Sequence, residues 1–189
     1  MIRWRASLLE WALMVLISAF LFVEFFKLND FLFASLEHAQ GINWVFLPAG
    51  FRVLLVLVLG VPGALGIATG TLWLNMDRLD SPWLLFLMAT ALASGFGPWC
   101  VKYAMEKRGW LNPELRNINS TCLLQFVLLY AAVNAVSHQI IFWGFSLTDS
   151  RPWVDVWPMF IGDLVGALVV LYAFKMSLPW LRSLVQSRS

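Results

Sequence analysis

Six apolar segments separated by short polar loops restrict the fold of this chain more than any other feature. The first segment, residues 8–26, is about as long as the ~20 residues that a helix needs to cross a bilayer. Charged residues make up 13% of the chain and hydrophobic residues 60%, whereas a soluble domain carries roughly 25% charged residues. The sequence therefore predicts an all-α integral membrane protein without a separate soluble catalytic domain.

The predicted fold is a six-helix transmembrane bundle that forms a single polytopic domain over residues 1–189. Gly60 and Pro62 separate the second span from the third, because Pro removes a backbone donor and Gly bends freely. These two spans are short, so a re-entrant hairpin is the alternative to two full crossings. The predicted spans are residues 8–26, 44–59, 61–75, 83–105, 118–145 and 156–176.

The distribution of basic residues predicts how the bundle is oriented. Short cytoplasmic loops are enriched in Lys and Arg, and six spans place both termini on the same side of the bilayer. That side holds nine of the 13 basic residues, and three lie in loops on the other side. We therefore expect the N- and C-termini in the cytoplasm. The nine residues are Arg3, Arg5, Lys102, Lys107, Arg108, Arg116, Lys175, Arg182 and Arg188.

Three ionisable side chains lie inside the apolar spans at a similar distance from the outer face. Arg52 is eight residues from the start of its span, roughly 12 Å at ~1.5 Å per helical residue. Asp163 and His138 are each seven residues from the outer ends of their spans, roughly 10 Å deep. Because a charge at membrane depth is normally paired or faces a functional cavity, these residues predict a buried polar site with a direct Arg52–Asp163 contact.

Other residues join this predicted site through their spacing. Asn134 lies one helical turn from His138 and shares its face. Pro48 and Gly50 interrupt the start of the second span just above Arg52, where loosened backbone is tolerated if protein or a wet cavity satisfies it. Trp44, at the outer end of the same span, is a candidate ligand-stacking surface. The predicted ligand-binding residues are therefore Arg52, His138, Asp163, Asn134, Pro48, Gly50 and Trp44.

Several kinds of chemistry are not expected from this sequence. With two histidines and no Cys/His cluster, it predicts no metal site and no cofactor. It contains no phosphate loop, nucleophile elbow or zincin helix, so no catalytic residue is predicted and the chain is expected not to be an enzyme. Proton sharing between His138 and Asp163 is the one enzymatic alternative left open. A net charge of only +2 argues against a nucleic-acid partner.

Two stretches carry a resemblance to a known family. The first reads Trp-Val-Phe-Leu-Pro-Ala-Gly over residues 44–50 and is followed by Leu-Val-Leu-Gly at 57–60 and Gly-Ala-Leu-Gly at 63–66. The second, residues 162–170, begins with Gly162-Asp163 and continues through Gly166. They resemble the Pro-x-Gly opening and the Gly-Asp-x-x-Gly final helix of the membrane-associated sensor family, the integral-membrane input modules of bacterial signalling proteins. The resemblance implies a short, stand-alone sensor module in a bacterial cytoplasmic (inner) membrane, which signals through a partner protein.

Three functions are compatible with these features. The favoured one is a ligand-sensing or small-molecule-binding module, which takes a small anionic ligand or lipid headgroup and acts with a partner membrane protein or as a homo-oligomer. The second is transport, as a small carrier or as a substrate-binding subunit similar in size to those of energy-coupling-factor transporters. The third is a structural or assembly subunit of a membrane complex, in which the polar residues only hold helices together.

Overall fold

The computed structural model describes residues 7–39, 41–79, 83–116, 118–146 and 151–186, with side chains described as far as residue 177. This part of the chain is mostly helical. It contains the α-helices α1 Leu8–Phe33, α2 Pro48–Leu59, α3 Val61–Trp73, α4 Trp83–Lys107, α5 Ser120–Phe145 and α6 Pro152–Gln186. Short 3₁₀ turns lie at Ala34–Leu36 and Met76–Arg78, and a two-stranded hairpin is formed by β1 Glu37–Ala39 and β2 Ile42–Asn43.

Four of these helices, α1, α4, α5 and α6, are long and apolar enough to cross a membrane. The prediction of a helical, membrane-type protein is confirmed at this level. Helices α2 and α3 have 12 and 13 residues, which gives about 18–20 Å at ~1.5 Å per residue. Because the hydrocarbon core of a bilayer is ~30 Å thick, six complete crossings stay a prediction.

Helix α2 begins four residues later than the predicted span. Pro48 occupies its first turn, where the missing N–H breaks no helical hydrogen bond. The chain just before it is held by other parts of the protein: the Leu47 N–H donates to Asn29 Oδ1 at 2.8 Å, and the Phe46 N–H donates to the Gly162 carbonyl at 3.1 Å. The backbone groups expected to be loosened here are therefore satisfied by α1 and α6.

The hairpin that precedes α2 was not predicted. Its two strands pair antiparallel, and Gly41 adopts a φ of +76° at the turn, in a region that favours glycine. His38 fixes the hairpin to the first turn of α6, because its Nε2 lies 3.1 Å from Asp155 Oδ1. Strands of two and three residues are too short to produce a recognisable alternating pattern in the sequence.

The predicted glycine face of the last helix is confirmed as a site of close approach, but its partner is a loop and not a helix. A Cβ at Gly162 would overlap the carbonyl oxygen of Asn43, and a Cβ at Gly166 would overlap that of Phe46. The non-helical chain at residues 43–47 therefore lies directly on α6. This contact fixes the height at which Asp163 faces the rest of the bundle.

Helix α2 lies at the centre of the bundle and contacts each of the other five helices. Its side chains Val53 and Val56 are fully buried, and Arg52 is only 5% exposed. The helices around α2 expose large apolar side chains at the surface of the bundle, such as Phe20 on α1 and Leu85 on α4. A lipid environment would cover these side chains, so the exposed apolar surface agrees with the membrane-type fold.

Replacement of Gly166 by alanine tests the loop-on-helix contact. The new methyl group would collide with the Phe46 backbone, and overpacking of this kind costs about 1–3 kcal/mol. Gly97→Ala is the matched control, because a Cβ at Gly97 meets no atom within 4 Å and alanine is the better helix former. We expect thermal unfolding in detergent, followed by tryptophan fluorescence, to show a lower midpoint for Gly166→Ala only. Equal midpoints would contradict the contact.

Candidate functional site

A cavity of about 180 Å³ reaches from the β1–β2 hairpin and the α3–α4 loop to the buried polar side chains. Each of the six helices contributes at least one residue to its wall. Gly41 and Asn43 of the hairpin line it, as does Arg78 of the loop. Arg52 of α2, which is buried, lines it as well. The cavity therefore connects the predicted outer face with the predicted site.

Arg52 is the most unusual side chain in the wall of this cavity. Its Nη1 donates to the Tyr130 hydroxyl and to Asn134 Oδ1, both at 3.4 Å, and its Nη2 donates to Ser94 Oγ at 3.3 Å. All three hydrogen bonds are longer than the usual 2.7–3.2 Å. Its Nε atom is buried and has no partner in the described part of the chain. The guanidinium is thus incompletely satisfied.

Two aromatic rings enclose the same guanidinium. Its Cζ lies 5.2 Å from the centroid of Phe22 and 5.1 Å from that of Phe46. Cation–π contacts within about 6 Å stabilise a desolvated cation by up to ~2 kcal/mol. The rings therefore stabilise the guanidinium in its position, but they supply no hydrogen-bond acceptor for Nε.

The predicted direct contact between Arg52 and Asp163 was wrong. The ion pairs among the described residues do not include one between these two side chains. Asn134 lies between them instead: its Oδ1 accepts from Arg52, and its Nδ2 donates to Asp163 Oδ2 at 2.6 Å. The reason is steric, since α5 packs against α6 and inserts its amide where the guanidinium would otherwise meet the carboxylate.

His138 belongs to the same network, and its partners assign its protonation. Its Nδ1 lies 2.9 Å from the backbone carbonyl of Asn134, so Nδ1 carries a hydrogen. Its Nε2 lies 3.1 Å from Ser94 Oγ, which already accepts from Arg52. Among the described residues, Nε2 is the acceptor within reach of the Ser94 hydroxyl hydrogen, and this pairing assigns Nε2 as unprotonated and the imidazole as neutral.

The seven predicted ligand-binding residues divide into two groups. Four of them line the cavity, namely Arg52, Asn134, His138 and Asp163. The other three, Pro48, Gly50 and Trp44, are not part of its wall.

Each of these three has another role in the fold. Pro48 starts α2. Gly50 packs so closely against Val170 that a Cβ would collide with it. Trp44 is 40% exposed, and its ring packs edge-on against His38 with centroids 5.8 Å apart. The expectation that Trp44 stacks on a ligand finds no support in this position.

Ser94 is a site residue that the sequence reasoning missed. It is buried on α4 and joins Arg52 to His138. A signal for it exists, because Thr90 and Ser94 lie one turn apart in an otherwise apolar span and therefore share a face. The rim residues from the α3–α4 loop carry no comparable signal, since polar residues are common in loops.

No protein-family model, curated protein or solved structure matches this chain. The resemblance to membrane-associated sensors is carried by residues 44–50, 57–60, 63–66 and 162–170 and stays a proposal. The chemistry of the cavity is what bears on function.

Replacing Asn134 by leucine tests the bridge between the two charges. The change removes one partner from Arg52 and the only side-chain donor to Asp163 in the described residues. Unsatisfied buried groups cost about 1–3 kcal/mol, and more when they are charged. Tyr130→Phe is the milder control, because it removes a single 3.4 Å bond and keeps the volume. We expect the free energy of unfolding in micelles to fall clearly further for Asn134→Leu; an equal or smaller fall would contradict the bridge.

Proposed function

We propose that this chain is a non-enzymatic, multi-pass protein of a bacterial inner membrane, which binds a small polar molecule at Arg52 and reports binding to a partner protein. The observation that carries this proposal is that Arg52, a residue of the cavity wall, has a buried Nε without a hydrogen-bond partner among the described residues. A ligand with an anionic group supplies the missing acceptor. The other buried unpartnered nitrogen of the described residues, Asn29 Nδ2, does not line this cavity.

The surroundings of Arg52 support a binding site more than a purely structural contact between helices. A lock between helices is best made by a direct, bidentate Arg–carboxylate pair, which satisfies both charges. Arg52 instead has three long hydrogen bonds and an Nε without a partner among the described residues, and it lines the cavity. Because a buried charge without a full set of partners is costly, this arrangement favours ligand binding over the assembly role.

The volume of the cavity limits the size of the ligand. At about 180 Å³ it is slightly larger than the ~150 Å³ engineered cavity that binds benzene. It therefore suits a compact solute of roughly six to eight non-hydrogen atoms by the same comparison. A lipid would have to place its acyl chains outside the cavity, so a free solute fits this volume better than a lipid headgroup.

The proposed topology determines the side of the membrane to which the cavity opens. With six crossings and cytoplasmic termini, the cavity opens towards the periplasm, and α2 and α3 form a short paired crossing. Helix α6 carries Asp163 in the site and continues to Gln186. Its 35 residues span about 52 Å, well beyond the ~30 Å hydrocarbon core. A ligand that changes the Asn134–Asp163 contact acts directly on the helix that reaches the cytoplasmic side, where a partner would respond.

Transport is the second candidate, and a flux measurement separates it from sensing. A carrier must expose the site to the other face, so proteoliposomes containing it accumulate a bound solute faster than empty ones. A sensor binds the solute in detergent but gives no such uptake.

A thermal-shift screen of compact polar solutes tests the binding proposal. Solutes that bind the folded state raise its stability by RT ln(1 + [L]/Kd), about 2.7 kcal/mol at a hundredfold excess over Kd. We expect one or more solutes with an anionic group to stabilise the wild type and the control variant Arg116→Gln, whose side chain is 78% exposed. Arg52→Gln should lose this response. Stabilisation that survives in Arg52→Gln, or none from any solute, would refute the proposal.

A further inference from the structure

The cavity offers an acceptor as well as a donor. Asp163 is 2% exposed and lines the cavity. Its Oδ2 accepts from Asn134, whereas its Oδ1 has no hydrogen-bond partner in the described part of the chain. The unpartnered Nε of Arg52 and the free Oδ1 of Asp163 belong to two side chains that a single amide group joins. Because only one amide group separates the two side chains, they lie close enough for one compact molecule to contact both.

The charges around the cavity decide between two classes of ligand. The charges of Arg52 and Asp163 cancel, and the neighbouring His138 adds none, because its hydrogen-bond partners assign it as neutral. At the rim, Arg78 Nε lies 3.9 Å from Asp77 Oδ2, so those charges also cancel. A monoanion would leave one uncompensated negative charge in a poorly solvated space, which costs free energy. A zwitterion adds no net charge.

We propose that the ligand is a small zwitterion, an amino carboxylate whose carboxylate binds Arg52 and whose ammonium group binds Asp163. This inference rests on the proposed function and specifies its ligand. The carboxylate supplies the acceptor that Arg52 Nε lacks, and the ammonium supplies a donor for Asp163 Oδ1. Asn134 stays between the two side chains as a neutral spacer. Molecules of the size of alanine or 4-aminobutyrate match the volume of the cavity.

The test compares matched compounds on the purified full-length protein in detergent, by calorimetry or thermal shift. One series is 4-aminobutyrate, butyrate and butylamine; the other is alanine, propionate and ethylamine. We expect at least one zwitterion to bind ten times or more tighter than both of its matched compounds, a difference of about 1.4 kcal/mol. If propionate and butyrate bind as tightly as the zwitterions, the inference is overturned.

Asp163→Asn distinguishes a ligand contact from a structural role. The asparagine keeps the shape and an acceptor for Asn134 but removes the negative charge, so the cavity becomes cationic. We expect this variant to bind the simple carboxylate at least as tightly as the zwitterion, which reverses the wild-type preference. An unchanged preference would overturn the inference. If the variant does not fold, the comparison of matched compounds on the wild type tests the inference by itself.

The two proposals fail in different ways. If another solute from the wider screen binds in an Arg52-dependent manner and no zwitterion outbinds its matched compounds, the ligand class is wrong and the binding proposal stands. If no solute binds at all, both are wrong.

Discussion

A guanidinium buried in the most enclosed helix is the constraint on which the arrangement of this bundle depends. An arginine at membrane depth is costly unless neighbouring groups solvate it. The helices around α2 solvate it jointly, since α1 supplies the Phe22 ring, α4 supplies Ser94, and α5 supplies Asn134. Because these groups come from different helices, each helix has to present a particular face towards Arg52. Apolar packing alone would allow several rotations of α4 and α5, whereas the polar partners select one.

The non-helical chain before α2 completes this arrangement. Gly162 and Gly166 lack side chains that would keep the backbone of residues 43–47 away from α6, and the Phe46 N–H bonds to the Gly162 carbonyl. This contact holds the Phe46 ring over Arg52. It also fixes Asp163, the residue next to Gly162, at the level of Asn134. The same two glycines therefore position an aromatic partner of the cation and the nearest buried carboxylate.

The sequence allowed the components of the site to be predicted, but not the way in which they connect. Arg52, His138 and Asp163 interrupt apolar spans at equal depth, and helical rise alone converts that spacing into a common layer. The direct ion pair failed because it depends on the distance between α2 and α6, which is set by side-chain packing and has no periodic signature. The insertion of Asn134 between the two charges, and the contribution of Ser94, follow from that same packing.

A similar limit applies to the backbone. The turn at Gly60 was predictable because Gly and Pro leave strong local signals; the structure gives Gly60 a φ of +64° between α2 and α3. The β1–β2 hairpin is held by long-range contacts, such as that of His38 with Asp155. Its strands are too short to be recognised from an alternation of apolar and polar residues. The Gly-Asp-x-x-Gly stretch correctly indicated close approach, but small residues admit a loop as readily as a helix.

Hydrogen-bond lengths differ between the frame of the bundle and the surroundings of Arg52. Asn29 holds the Leu47 N–H at 2.8 Å, and Asn134 holds Asp163 at 2.6 Å. In contrast, all three hydrogen bonds of Arg52 lie at 3.3–3.4 Å, where their strength is reduced. Among the side-chain hydrogen bonds between nitrogen and oxygen atoms of the described residues, those longer than 3.2 Å belong to Arg52. This side chain also has a positive charge, an unpartnered donor and a place in the cavity wall. An acceptor arriving in the cavity would therefore exchange weak bonds for strong ones at Arg52 while the tight contacts to α1 and α6 keep the frame in place. Because Asn134 takes part in one bond of each kind, a change at the cation reaches the carboxylate on α6 through a single side chain.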